Sequence, residues 1–240
     1  MDPVLSAVLG SMHADMARLE RAGMNLANVQ TPGYKRELVS ATAFGARVDA
    51  AASAIAVHTD QRPGTLKATG QGLDLALTGP GWFEVSTPQG PAYTRQGNFR
   101  LDAQGRIVTQ EGHPVMGTSG PIMLQQGTPV IDSAGRVFEA IAPGVKKDAA
   151  AVAQLRIVQF NPATPVQRLG NGLHLVRGEV LPATEGAQVQ QGFLENSNVS
   201  HMHEMVRLLE TMRHMESLQK VALGYDEMLG TSIRKLGENP

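Results

Sequence analysis

The chain has 240 residues, a formal net charge of −1 at pH 7 and no cysteine. This length allows one or two domains with a substantial hydrophobic core. A balanced charge without a basic tract argues against a nucleic-acid-binding protein, and the lack of cysteine excludes disulfides, thiol nucleophiles and thiolate metal sites.

The N-terminal stretch lacks the pattern of a secretory signal peptide. Asp2 stands where a positive charge is expected, and His13, Asp15 and Arg18 interrupt any apolar core. No apolar run in the chain is long enough to span a membrane. We therefore expect no membrane insertion and, if the protein is exported, a route without a cleaved signal.

Residues 3–28 form the first predicted helix. A row of residues steps four-three along it, at Leu5, Leu9, Met12, Met16, Leu19, Gly23 and Leu26. This is the heptad spacing of helices that pack on other helices. A helix lying on the core of its own domain would look similar, but a second seam at the other end of the chain favours helix–helix packing.

A turn is predicted directly after this helix. Asn28 suits a left-handed position after a helix C-terminus, and Pro32 disfavours a helical conformation at Thr31. Pro32 and Gly33 fit the two central positions of a type II turn. The polar, alanine-rich residues 36–60 show weak periodicity and are interpreted as an extended connector.

Strand patterns rich in glycine and proline dominate residues 61–192. Leu73 to Leu77 alternates apolar and polar residues, which predicts a strand with Asp74 on a polar, outward face. Glu84 is assigned to a similar face of the next strand. Asn171-Gly172, flanked by Leu173 and Leu175, predicts a further turn.

Two segments of the central region echo each other. Both are a strand, an Asp-x-x-Gly-Arg turn and a second strand, at residues 101–108 and 131–138. The aspartate opens a type I turn and the glycine takes a positive φ, which predicts two similar hairpins. One aspartate offers too few oxygen ligands for a calcium loop.

The last forty residues form the second predicted helix, from Asn198 to Leu236, with Ser200 as its N-terminal cap. Its seam consists of Leu208, Met212, Met215, Ala222, Leu229, Ile233 and Leu236. Gln219 and Asp226 interrupt this seam and are candidates for setting the register between helices. Since an isolated helix is only marginally stable in water, the seam needs another surface to pack on.

No arrangement of residues predicts an active site, a metal site or a cofactor site. His201 and His203 lie two apart on a helix and point to different faces, and His214 is too distant to join them. Asp74 and Glu84 could in principle act as a glycosidase pair, but outward polar faces explain both. We expect no enzymatic activity, no cofactor and no small-molecule substrate.

Three stretches resemble the bacterial flagellar rod and hook protein family. The first contains the signature residues Asn25, Ala27, Asn28, Thr31, Pro32, Gly33 and Tyr34. The second is the strand motif from Thr69 to Phe83, continued by Tyr93 to Phe99. The third is Leu194 to Val199, followed by Glu204-Met205-Val206.

The resemblance implies an α+β fold: a central all-β domain of antiparallel strands and hairpins, with terminal amphipathic helices that form a helical-bundle assembly region. The implied segments are residues 1–35, an extended connector 36–60, a β domain 61–192, and a C-terminal helix 193–240. The implied partners are other rod proteins and further copies of the chain, with the flagellar type III apparatus as exporter. The implied location is the rod of the basal body, in the periplasm.

Within this family, the length and the short connector favour a rod protein. Distal rod proteins carry Gln-Arg-Ala-Tyr-Glu in the last helix, and residues 212–216 agree with it only at Arg213 and Glu216. This departure favours the proximal rod. The alternatives are a distal rod or hook-type axial protein and, more remotely, a glycan-cleaving periplasmic enzyme.

Overall fold

The computed structural model describes residues 3–41, 55–125, 128–140, 151–161, 166–176, 178–183 and 186–237. The chain divides into two compact units. The helical unit comprises Met1–Val29, Arg36–Asp60 and Val199–Pro240, and the β unit comprises Gln30–Lys35 and Gln61–Asn198. The predicted α+β class, with terminal helices and a central antiparallel β region, is confirmed. The four segment bounds predicted from the sequence stay predictions.

Helix α1 spans Pro3–Ala27. A proline suits the first helical position, because the N–H that it lacks has no partner within a helix. The residue after the helix end is Asn28, whose side-chain amide donates to the carbonyl oxygen of Met24 over 2.8 Å. The left-handed backbone predicted for Asn28 is wrong, since Asn171 is the only described non-glycine residue with a positive φ. The side chain of Asn28 caps the helix instead.

Helix α2 spans His201–Gly237. It begins directly after Ser200, as predicted, and the Ser200 carbonyl accepts a hydrogen bond from the backbone N–H of Glu204 over 3.0 Å. The Ser200 hydroxyl lies 2.9 Å from Nδ1 of His203. None of the described helices combines the length and the hydropathy needed to cross a membrane.

The described part of the chain forms nineteen strands. They are β1 (Glu37–Ala41), β2 (Ile55–Thr59), β3 (Leu66–Ala68), β4 (Leu75–Thr78), β5 (Trp82–Thr87), β6 (Gly90–Thr94), β7 (Arg100–Leu101), β8 (Ile107–Val108), β9 (Met116–Gly117), β10 (Gly120–Pro121), β11 (Thr128–Ile131), β12 (Arg136–Ala140), β13 (Ala153–Gln154), β14 (Ile157–Phe160), β15 (Val166–Gly170), β16 (Leu173–Val176), β17 (Val180–Pro182), β18 (Gln188–Gln191) and β19 (Phe193–Glu195).

The largest sheet of the β unit has six antiparallel strands in the order β15-β16-β6-β5-β14-β17. A three-stranded sheet has the order β11-β12-β13, and the remaining strands of this unit pair two by two, including β18 with β4 and β19 with β3. Successive side chains of a strand point to opposite faces. On β5, Phe83 therefore joins the main apolar core, while Trp82 joins a second cluster with Tyr93, Val158 and Phe160.

Strand β4 is buried without alternation, since Leu75, Ala76 and Leu77 are all inaccessible to solvent. The outward polar faces predicted for Asp74 and Glu84 are therefore wrong, because both residues are buried. Glu84 is neutralised by Arg156, whose Nε lies 3.0 Å from its carboxylate. A strand covered on both faces loses the period-two signal on which the prediction relied.

The two predicted Asp-x-x-Gly-Arg hairpins are confirmed. Gly105 and Gly135 have φ values of +76° and +77°, and each donates its N–H to the carbonyl oxygen of the aspartate three residues earlier over 3.0 Å. The turn predicted at Asn171-Gly172 is also confirmed, with φ values of +48° and +70°, the positive pair of a type I′ turn. The structure shows that it joins β15 and β16 in a hairpin.

In the helical unit, β1 and β2 pair antiparallel, from Glu37 opposite Thr59 to Ala41 opposite Ile55. The interpretation of residues 36–60 as an extended connector did not include this pairing. The sequence shows no clear alternation of apolar and polar residues in these strands, because half of their described side chains face solvent. The pairing could therefore not be predicted.

Candidate assembly surface

The helices of the helical unit pack antiparallel, and two of the polar contacts between them set their register. The side-chain amide of Asn25 donates to Oε2 of Glu204 over 3.2 Å. Ten residues away on each helix, Nδ1 of His214 lies 2.5 Å from Oδ2 of Asp15. Since both contacts have the same register, α1 and α2 are locked against sliding along each other.

Asp15 is the most deeply buried charge of this helix pair, with a side chain 1% exposed. Its second oxygen accepts a hydrogen bond from Nη1 of Arg18 over 2.8 Å. An unpaired buried carboxylate would be strongly destabilising, so these two partners explain how a charge is tolerated between the helices.

Asn25 also ties α1 to β1. Its amide nitrogen donates to the Glu37 carbonyl and its amide oxygen accepts from the Glu37 N–H, each over 2.9 Å. Arg21 pairs with the Glu37 carboxylate at 3.1 Å, and Nε of Arg36 donates to Glu204 over 2.6 Å. These polar contacts attach α1 to β1 and hold the first turn of α2 at the end of β1.

The predicted seam of α1 is only partly covered within the chain. Leu5, Leu9 and Met16 are 40%, 43% and 55% exposed. We call these three residues the free apolar stripe of α1. The other predicted seam residues with side chains larger than glycine are half-buried: Met12, Leu19 and Leu26. The row buried in their place contains Val8, Asp15 and Ala22, also seven residues apart.

The predicted seam of α2 divides in the same way. Half-buried positions are Leu208, Met215 and Ala222, and exposed positions are Met212, Leu229 and Ile233, at 45%, 40% and 69%. The side chain of Leu236 lies outside the described residues. Sequence reasoning missed further exposed apolar residues on α2: Met205, Leu209 and Leu223. The assignment of these side chains to an assembly interface stays a prediction.

The signature turn belongs to the β unit. The N–H of Tyr34 donates to the Thr31 carbonyl over 3.3 Å, and Gly33 has a φ of +66°, which confirms the predicted type II turn. The Tyr34 ring is 1% exposed and lies beneath the guanidinium of Arg168, 4.2 Å from its centroid. Nη1 of Arg168 also donates to the Tyr34 hydroxyl over 3.0 Å.

A buried ion cluster holds this turn to the strand that precedes α2. The Glu195 carboxylate is 2.6 Å from Nζ of Lys35 and 3.1 Å from Nη1 of Arg95, and all three side chains are at most 4% exposed. The N–H of Gly64 donates to the same carboxylate over 2.8 Å, and the N–H of Gly33 donates to the Glu195 carbonyl over 2.7 Å. Glu195 thereby joins segments that lie far apart in the sequence.

From the sequence, Lys35 and Glu195 were placed in separate segments, residues 1–35 and 193–240, and were not paired. They are 160 residues apart, and no local pattern links residues at that distance. Of the other signature residues, Asn25 and Asn28 have the roles described above, Pro32 is half-buried and Ala27 is exposed.

Catalytic geometry is not visible in the described residues. No group of three or more His, Asp or Glu side chains among them is placed to hold a metal ion. His174 is buried against the edge of Trp82, with ring centroids 4.7 Å apart. Burial, together with the positive charges of Arg168 and Lys35, lowers the pKa of His174 to about 4. The imidazole is therefore neutral at physiological pH and serves as a packing group.

Comparison with known proteins gives two family matches. Residues 76–139 match the domain described as the flagellar hook protein FlgE/F/G D1 domain. Residues 190–235 match the C-terminal domain described for the flagellar basal body rod FlgEFG proteins.

Individual relatives match over nearly the whole chain. The flagellar basal-body rod protein FlgF of Salmonella typhimurium is 30% identical over 98% of this chain and 99% of its own length. FlgF of Escherichia coli has the same identity and coverage. FlgG of Bacillus subtilis is 29% identical over 92% of this chain and 94% of its own length.

Proposed function

This chain belongs to the family of flagellar basal-body rod proteins, and we propose from this membership that it is a structural subunit of the rod. Its partners are other rod proteins, including further copies of itself. Family membership places it among structural proteins and does not favour the glycan-cleaving alternative.

The observation that supports assembly through the helices is the exposure of large apolar side chains on both of them. The free apolar stripe of α1 and the exposed residues Met205, Leu209 and Met212 of α2 remain accessible although the helices pack on each other. Burying one such side chain contributes roughly 1.5–3 kcal/mol. Several of these per subunit can therefore offset the entropy lost when subunits join.

The test of the function is deletion of the gene, followed by complementation with an epitope-tagged copy. We expect the deletion strain to be non-motile and the tagged chain to be present in basal bodies purified from the complemented strain. A motile deletion strain, or purified basal bodies that lack the tagged chain, would overturn the proposal.

Within the rod we propose the FlgF position. This position corresponds to the proximal rod favoured by the sequence. The FlgF relatives align over 98–99% of both chains, and the last helix departs from the Gln-Arg-Ala-Tyr-Glu sequence of distal rod proteins. The experiment is solution binding of the purified chain to each of the other axial proteins of its organism. Preferential binding to the FlgG-type protein is expected of a neighbouring subunit, whereas exclusive binding to hook protein would favour the hook-type alternative.

We further propose that the flagellar type III apparatus exports the chain without removing a signal. In support, Asp15 and Arg18 lie in the middle of α1, and Asp15 is one of the charges through which α1 packs on α2. Mass spectrometry of the chain recovered from basal bodies should find the N-terminal segment intact. A chain shortened by a signal-sized segment would contradict this route.

A further inference from the structure

We propose that Met202, Met205 and Met212 of α2 are a reversible oxidation site, and that their conversion to methionine sulfoxide prevents the chain from joining the rod. The inference rests on the proposed rod function and names a covalent modification that regulates it. It follows from the distribution of sulfur in the chain, from the exposure of these side chains and from the chemistry of thioethers.

All the sulfur of the chain is in methionine, since the sequence contains eleven methionines and no cysteine. Without thiols, the thioethers are the side chains on which a peroxide acts to give a reversible product. Five of the eleven methionines lie in α2. The proposed export route carries the chain out of the reducing cytoplasm, so this sulfur meets oxidants before the chain is assembled.

Three methionines of α2 lie in one row with Leu209. Positions 202, 205, 209 and 212 step three-four-three, which places them on one face of the helix. We call these four residues the methionine stripe of α2. Met202 is 78% exposed, and Met205 and Met212 are each 45% exposed. A peroxide dissolved in water therefore has access to all three thioethers.

Other methionines are less open to the same reaction. Met12, Met116 and Met215 are half-buried. Met24 has an exposed side chain, but its sulfur accepts a hydrogen bond from Nη1 of Arg21 over 3.3 Å. This bond to a cation withdraws electron density from the sulfur atom that an electrophilic oxidant attacks. The structure thus provides controls both for exposure and for the reactivity of sulfur.

The oxidation needs only hydrogen peroxide or an alkyl hydroperoxide. The sulfur lone pair attacks the terminal peroxide oxygen, the O–O bond breaks, and an S–O bond forms while water or an alcohol leaves. The sulfur loses two electrons and the peroxide gains them. In the reverse reaction, methionine sulfoxide reductases remove the oxygen as water while a dithiol becomes a disulfide.

A sulfoxide on this stripe affects assembly and leaves the fold of the subunit intact. The side chain becomes polar, which costs little where it faces water. In a contact with another subunit, the same side chain no longer contributes the burial of an apolar group. Loss of one such contribution lowers an association constant at least about tenfold.

The first experiment locates the modification. The purified wild-type chain is treated with dilute hydrogen peroxide, and peptide mass spectrometry follows each methionine over time, with circular dichroism as the check of folding. We expect Met202, Met205 and Met212 to be oxidised before Met24 and Met215, in a chain that keeps its helical signal. Oxidation of Met24 or Met215 at the same rate as the stripe would overturn the assignment of the site.

The second experiment measures the consequence for binding. Both variants carry Met16→Leu, so that the free apolar stripe of α1 is not oxidised in either. The stripe variant has in addition Met202→Leu, Met205→Leu and Met212→Leu, since leucine is apolar, close in volume to methionine and free of sulfur. Each is tested against the axial protein that the untreated wild-type chain binds best.

We expect peroxide to weaken binding of the Met16→Leu chain at least about tenfold and to leave binding of the stripe variant nearly unchanged. Treatment of the oxidised Met16→Leu chain with methionine sulfoxide reductases of both epimer specificities should restore its affinity. An equal loss in both variants, or a loss that the reductases do not reverse, would overturn the inference.

Failure of the inference can be told apart from failure of the proposed function. If the untreated wild-type chain is present in basal bodies and binds an axial protein, but peroxide does not change that binding, the inference fails and the proposed function stands. If the untreated chain is absent from basal bodies, the proposed function itself fails.

Discussion

Gly33 illustrates how much a single signature residue is constrained. Its φ of +66° suits glycine, and a Cβ atom at this position would lie 2.3 Å from the backbone carbonyl of Arg95. The positive φ was predicted from the Pro-Gly pair. The close approach of the Arg95 backbone could not be predicted, because Arg95 lies in a distant part of the chain.

We predict that Gly33→Ala destabilises the β unit more than Gly70→Ala does. Gly70 has a similar φ of +73°, but a methyl group added there would meet no other part of the protein within 4 Å. Its substitution therefore reports only the backbone penalty of about 1–2 kcal/mol. Gly33→Ala adds a clash with backbone that cannot rotate away. Urea unfolding monitored by Trp82 fluorescence measures both variants, and equal losses of stability would contradict the close approach.

His174 predicts a pH dependence of stability. Its pKa is about 4 in the folded protein, against an ordinary value of 6.5, chiefly because burial disfavours the charged form. Between pH 6.5 and 4 the unfolded chain binds a proton that the folded chain does not, so the stability of the β unit falls as the pH falls. The contribution is about 1.4 kcal/mol per pH unit within that window.

The measurement is urea unfolding at several pH values for the wild type and for His174→Leu, which packs but cannot titrate. The difference in unfolding free energy between the two proteins should be constant above pH 7 and should shift in favour of the variant below pH 6.5. A difference that does not change with pH would show that His174 titrates normally in the folded state.

Among the secondary-structure elements, both helices were predicted from the sequence. The sequence did not predict which face of α1 is buried within the chain. The predicted seam of α1 runs from Leu5 to Leu26, and its members Leu5, Leu9 and Met16 stay exposed, whereas the row that the chain itself buries is Val8–Asp15–Ala22. Because the buried row contains the charged residue Asp15, a search for apolar residues at helical spacing does not find it. The partner that makes Asp15 tolerable, His214, lies 199 residues away, so only the folded structure reveals the row.

We predict that Asp15 and His214 are energetically coupled. A double-mutant cycle of Asp15→Leu and His214→Leu should give a coupling free energy of about 1 kcal/mol, near the low end for contacting residues because His214 is half exposed. The cycle is measured by urea unfolding of the helical signal in circular dichroism. An equivalent cycle on Glu216 and Lys220, exposed neighbours on one face of α2, should stay within about 0.5 kcal/mol. Equal couplings would contradict a register-setting role for the Asp15–His214 contact.

For the molecule as a whole, local turn chemistry was the best guide to the fold. Asp102 and Asp132 with their following glycines correctly predicted two hairpins, and Asn171-Gly172 correctly predicted a turn. The order of the six-stranded sheet could not be read from the sequence, because β5 pairs with β14 across some seventy residues. The Lys35–Glu195 contact was beyond prediction for the same reason.

The division into two units predicts the course of limited proteolysis. Trypsin sites of α2 at Arg207, Arg213 and Lys220 are exposed. In the β unit, Lys35 and Arg95 are buried, and exposed sites such as Arg136 lie in paired strands. In dilute solution we expect early loss of the terminal helices and a resistant fragment covering much of residues 61–198. Mass spectrometry of the time course identifies the fragments, and complete protection of both termini in the monomer would contradict the expectation.

Assembly of the whole molecule into the rod is proposed to use apolar side chains that its own fold leaves exposed. The decisive measurement is the amount of Leu9→Asp protein in purified basal bodies, relative to His13→Asp, which places the same charge at an exposed polar position on the same helix. We expect at least about tenfold less Leu9→Asp than wild type and near-normal amounts of His13→Asp, with both proteins folded by circular dichroism. Normal incorporation of folded Leu9→Asp protein would show that the exposed apolar side chains of α1 are not the route into the rod.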